Sequence, residues 1–122
     1  VGFFTFRSVQ AMQFERDLTR IGQGKPAVVQ VHDPQCPTCN ALQNQTRKAM
    51  KQFGECDLLF LVADITQPAG GALARQYGVP HVTLLLFDGQ GGLQQTLHGL
   101  RDRSELEVIL AAHFREYGSR RS

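Results

Sequence analysis

The sequence predicts an α/β fold, a central mixed β-sheet flanked by helices in the order β-α-β-α-β-α-β-β-α. Three observations carry this reading. Two mostly apolar runs, 27–31 and 58–63, have the composition of strands covered on both faces. Stretches with helical spacing of apolar residues follow each of them. A Gly-rich turn and a final amphipathic stretch then close the chain as a hairpin and a helix.

Taken in order, Phe3, Phe4 and Phe6 form a short apolar opening with edge-strand character. Ser8 stands where it can cap a helix over 9–21, with Ala11, Phe14, Leu18 and Ile21 on one face. The stretch from Gly22 to Pro26 breaks that helix, and 27–32 reads as a buried strand. A helix over 37–53 follows from the stripe Cys39, Leu42, Thr46, Ala49, Met50 and Phe53, ended by Gly54. Leu58 to Ile65 is the second buried strand. Pro68 opens a shorter helix containing Leu73 and Tyr77, and Gly78 closes it. Val82 to Phe87 is a strand, 88–92 a turn, and Leu93 to His98 its hairpin partner. The last helix spans Ser104 to Tyr117, with Ser104 and Glu107 as a capping box and Leu106, Ile109, Leu110, His113, Phe114 and Tyr117 as its apolar stripe.

The 122 residues suit one domain, 1–122, with a core that needs no cross-links. A net charge of +2 and no basic cluster beyond Arg120-Arg121 exclude an electrostatic nucleic-acid binder. No run approaches the length of a membrane span, so no membrane contact by this domain is expected. With 3 cysteines there is no disulfide framework, and Cys56, before an apolar run, reads as a buried or half-buried thiol rather than a third redox partner.

Chemistry concentrates at Cys36-Pro37-Thr38-Cys39. The first thiol sits where a strand hands over to a helix, and there the unpaired amides and dipole of the helix N-terminus stabilise a thiolate. The second lies one turn on, close enough to attack a mixed disulfide formed by the first. His32, four residues before the nucleophile, would lower its pKa if protonated, whereas Asp33 would raise it. A metal reading belongs to a different class: His32, Cys36 and Cys39, with His81 or Cys56 as a fourth ligand, suit zinc or copper. The sequence holds no second Cys-x-x-Cys and no His-x₃-His, so no metal is assigned.

The Cys-x-x-Cys after a buried strand, Gly78-Val79-Pro80, the Leu84 to Phe87 strand, the Gly-rich hairpin and the closing helix together resemble the thioredoxin superfamily over about 8–117. The resemblance implies a thioredoxin fold and protein thiol–disulfide exchange without an organic cofactor. It makes Cys36 the exposed nucleophile and Cys39 the buried resolving thiol. It makes Pro80 a cis-proline beside the redox pair, with the Val79 main chain binding substrate as an added strand. Three departures mark a specialised member: Gln30 replaces the buried acid of thioredoxin, no Trp is present, and His81-Val82-Thr83 shift the following strand. Gln30 cannot accept the proton of Cys39.

The implied partners are protein or peptide dithiols and disulfides and a redox partner protein, met by a monomer. The start at Val1 and the specialised site suggest an extracytoplasmic, for example periplasmic, domain freed of an N-terminal segment, whereas an unpaired Cys56 suits a reducing space. The alternatives to exchange are a thioredoxin-like copper or zinc binder and a non-catalytic adaptor.

Overall fold

The computed structural model describes residues 17–53 and 57–118. The expected Phe3–Phe6 strand, most of the first helix, Gly54 and Cys56 lie outside them. The part of that helix within the described residues is a 3₁₀ turn, Leu18–Arg20, capped by the side chain of Asp17.

Four strands, β1 (Ala27–His32), β2 (Leu59–Asp64), β3 (Thr83–Phe87) and β4 (Leu93–His98), form a mixed sheet in the order β2-β1-β3-β4. β1 runs parallel to β2, pairing Ala27 with Leu59 and His32 with Asp64. It runs antiparallel to β3, pairing Ala27 with Phe87 and Val31 with Thr83. Two neighbours and covered faces leave β1 buried at every position, which is why its sequence lacks an inside–outside alternation. β4 lies at the edge, and its exposed Gln94, Gln95 and His98 reflect that.

Helices α1 (Pro37–Met50), α2 (Pro68–Tyr77) and α3 (Arg103–Tyr117) cover the sheet. Leu42 and Ala49 of α1 and Leu106 and Leu110 of α3 pack with Val28, Leu84 and Leu86. The other sheet face buries Val29, Val31, Leu61, Leu85 and Phe87 beneath Leu73, Ala74 and Tyr77 of α2 and Ile21. The Tyr77 and Phe87 rings meet edge to face with centroids 5.5 Å apart. His113 is buried on α3, where its Nε2 lies 2.9 Å from the Phe87 carbonyl oxygen. Burial holds its pKa below the ordinary imidazole value.

Three expectations need correction. α1 ends at Met50 rather than at 53, because Lys51 and Phe53 turn back onto the carbonyls of Lys48 and Met50. The Phe53 ring nevertheless packs against Phe114, with centroids 5.4 Å apart. The cap of α3 is Asp102 rather than Ser104: its Oδ1 accepts from the Glu105 amide at 2.9 Å, the reach an N-cap carboxylate has to the third helical residue. Glu107 is drawn instead into a pair with Arg103 Nε at 2.8 Å.

The third correction bears on the site. No peptide bond among the described residues is cis, so the bond before Pro80 is trans. The chain reverses at Val82 instead, whose φ is +62°. That is costly ground for a β-branched residue, of order 1–3 kcal/mol. Two main-chain bonds hold it there: Val82 N–H donates to Val31 O at 3.2 Å, and Gly99 N–H donates to Val82 O at 2.9 Å. With Val82 making the turn into β3, Pro80 keeps the trans isomer that X–Pro bonds favour by about 0.5–1 kcal/mol.

Candidate active site

β1 ends at His32, and the chain crosses its tip before α1 begins. An Asx turn shapes this crossing: Asp33 Oδ1 accepts from the Gln35 amide, and the Cys36 amide donates to Asp33 O, both at 3.0 Å. Cys36 is thereby set at the N-cap of α1 with extended φ −96° and ψ 116°. Pro37 occupies the first turn, where its missing N–H and fixed φ cost nothing. The Cys36 sulfur does the work of a capping oxygen, accepting from the Cys39 amide at 3.3 Å.

Cys36 and Cys39 are both free thiols with unequal surroundings. Cys36 is half-buried and Cys39 fully buried. Hydrogen bonding from the Cys39 backbone amide is the main influence that lowers the Cys36 pKa, with the Cys39 side chain and the Thr38 amide adding to it. The Asp33 charge opposes them. Burial is the main influence on Cys39 and raises its pKa, against the backbone amides of Asp33 and Val82. The surroundings thus favour the thiolate form at Cys36 and the neutral thiol at Cys39.

Gln30 lies beneath the pair, fully buried on β1. Its Nε2 donates to the Cys39 carbonyl at 2.9 Å and lies 3.3 Å from His32 Nδ1. The Gln30 Oε1 is buried without a hydrogen-bond partner. This side chain ties the first turn of α1 to the sheet, a role that its amide, with two N–H donors, can fill and a carboxylate cannot. His32 is 4% exposed, with its Nδ1 beside the Gln30 amide.

A further side chain comes from the loop before β3. A ring nitrogen of exposed His81 and the sulfurs of Cys36 and Cys39 all lie within 4.8 Å of one another. Val79 and Pro80, the substrate ridge expected from the resemblance, immediately precede His81 in the same loop. The Val79 side chain packs on the opposite sheet face, with the cluster around Leu85 and Phe87, and its amide is used on the Ala74 carbonyl at 3.1 Å. Pro80 is exposed and has no N–H to offer. Among the described residues, His81 makes no backbone–backbone hydrogen bond.

The sequence contained a signal for the placement of His81. The strand after Pro80 starts late, at Thr83, which moves the residue flanking the strand from Pro80 to Val82. The link from Gln30 to the Cys39 carbonyl had no such signal, because it joins positions nine residues apart across two elements.

Similarity to known proteins agrees with this architecture. The family model described as Thioredoxin matches residues 5–112. No curated protein matches the sequence. Among solved structures, an uncharacterized thioredoxin-like protein from Clostridium perfringens superposes with a TM-score of 0.67 at 19% identity, covering 88% of this chain and 85% of that one. Thioredoxin-2 of the malaria parasite, a component of its protein secretion machinery, gives 0.64 at 18% identity over 73% and 84%. Thioredoxin from Malassezia sympodialis gives 0.63 at 20% identity over 79% and 81%. At these identities the likeness is one of fold.

Proposed function

Since this chain belongs to the thioredoxin family, we propose that it is a protein thiol–disulfide oxidoreductase working through Cys36 and Cys39. The observation that carries this reading is the inequality of the two thiols: a sulfur capping a helix beside a buried one whose amide it receives.

The Cys36 thiolate attacks one sulfur of a substrate disulfide, forming a mixed disulfide and expelling the other substrate sulfur as a thiolate. Cys39 then loses its proton and attacks the Cys36 sulfur. The second substrate thiolate leaves, and the Cys36–Cys39 disulfide remains. Run backwards, the same steps oxidise a dithiol. Gln30 cannot take the Cys39 proton. His81 is the group we assign to that step, since a span of at most 4.8 Å from ring nitrogen to sulfur is one that a single water bridges.

An extended polypeptide docks along the His81 main chain, whose N–H and C=O pair with it as a short added strand. In this role His81 extends the Val79-Pro80 ridge expected from the sequence. No described helix is long and apolar enough to cross a membrane, and every group assigned here lies on a loop or at a helix start.

Insulin, whose chains are joined by disulfides, provides the test. Mixed with the reduced protein, it is expected to lose its interchain disulfides while the protein loses two hydrogens in mass, with Cys36 and Cys39 joined in the peptide map. A protein that leaves insulin intact and keeps both thiols would refute the reading.

A further inference from the structure

The same three side chains form an arrangement that thiol exchange does not require. Two sulfurs and an imidazole nitrogen converge within 4.8 Å, the one group of three or more potential metal-ligating His, Cys, Asp or Glu side chains among the described residues. With metal–sulfur bonds of about 2.3 Å and metal–nitrogen bonds of about 2.0–2.1 Å, donors around a trigonal ion sit about 3.8–4.0 Å apart. Closing the group therefore takes movements of about 1 Å or less. The exposed His81 ring has room to make them.

Other features frame the site. The loop bearing His81 is fixed at the next residue, where Val82 bonds through both main-chain groups to Val31 and Gly99. Cys36 and Cys39 are one turn apart at a helix start, where the Cys39 amide donates to the Cys36 sulfur. His32, the other candidate from the sequence, is packed against Gln30 and is not in the group. The donor set is thus two soft sulfurs and one nitrogen. Structural zinc sites are closed by four protein ligands, whereas thiolate-rich sites with few donors suit monovalent copper.

We propose that the reduced protein binds one Cu(I) ion through Cys36 Sγ, Cys39 Sγ and the His81 ring. Binding displaces the two thiol protons and changes no oxidation state: Cu⁺ and two thiols give a bis-thiolate cuprous centre and two protons, with the neutral imidazole as third ligand. Oxidation of the pair to the disulfide by a substrate disulfide, which is reduced to two thiolates, removes both copper ligands and releases the ion as Cu⁺. Copper retention and disulfide exchange are therefore mutually exclusive states of one site.

The test is an anaerobic titration of the reduced full chain with Cu(I) against a chromophoric Cu(I) chelator, with X-ray absorption on the loaded protein. Expected are one ion per chain, a shell of two sulfurs and one nitrogen, and affinity at least tenfold weaker in His81→Ala. Cys36→Ser is expected to retain no ion against the chelator. Wild-type protein that yields all its copper to the chelator would overturn the proposal, as would His81→Ala binding as tightly as wild type. A site that keeps Zn(II) but releases Cu(I) would overturn it too. Exchange is assayed separately on metal-free protein, so a failure here leaves the oxidoreductase reading standing, and an inactive protein that still binds copper would remove that reading alone.

Discussion

Cys36→Ser is expected to lower the rate of disulfide reduction by about a thousandfold or more, because a hydroxyl at that position supplies no thiolate to attack sulfur. Cys39→Ser is expected to fail at a different step. Its Cys36 still attacks, but nothing resolves the product, so a mixed disulfide with substrate accumulates and is visible on a non-reducing gel. The asymmetry follows from burial: Cys39 is fully buried and its pKa raised, so it reaches the Cys36 sulfur but not an incoming substrate. Substrate trapped on Cys39 of the Cys36→Ser protein would reverse the assignment.

The second large effect is structural. Helix propensity alone says that Gly70→Ala in α2 should stabilise the fold by about 1 kcal/mol. Packing says the opposite. A Cβ on Gly70 would overlap the backbone oxygen of Asp64, where the first turn of α2 crosses the end of β2. Backbone cannot swing aside as a flexible side chain can, so α2 must lift off the sheet. A loss of about 3 kcal/mol is expected, at the upper end of the overpacking range. The neighbouring Gly71→Ala serves as the control. Its Cβ would stand 3.3 Å from Ile65 O and 3.4 Å from an Arg75 nitrogen, a tight but adjustable fit, so its effect should stay within about 1 kcal/mol. Denaturant unfolding of both variants distinguishes the two arguments. Equal stabilities would show that the Gly70 contact relaxes freely.

The sheet and helices were legible because local signals agreed with the fold. Val28, Val29 and Val31 announce a strand covered on both faces, and the 88–92 turn announces a hairpin, as found. The thiol pair was legible because its chemistry is local: spacing, strand and helix start lie within a dozen residues. What escaped was tertiary. His81 stood in the sequence only as one of two alternative fourth ligands, because loop length decides which ring meets the thiols, and the loop before β3 brings His81 within 4.8 Å of both sulfurs. Nothing local marks Val82 as the residue that takes a positive φ, since a β-branched side chain argues against it and only the bonds to Val31 and Gly99 offset the strain. Asp102 over Ser104 was a closer contest between two good caps, decided by where α3 meets Gln45, whose Oε1 accepts from the Arg103 amide at 2.7 Å.

The proposed exchange rests on one helix-capping sulfur ionising more readily than its buried neighbour. The rate of iodoacetamide alkylation against pH, read at each cysteine by mass spectrometry, measures this directly. Thiolate is the reactive form, so modification of Cys36 should rise through a midpoint below the ordinary thiol value of about 8.5 and hold its plateau above it. Cys39 should react far more slowly throughout. A Cys36 midpoint at or above the ordinary value, or Cys39 reacting as fast as Cys36, would contradict the account.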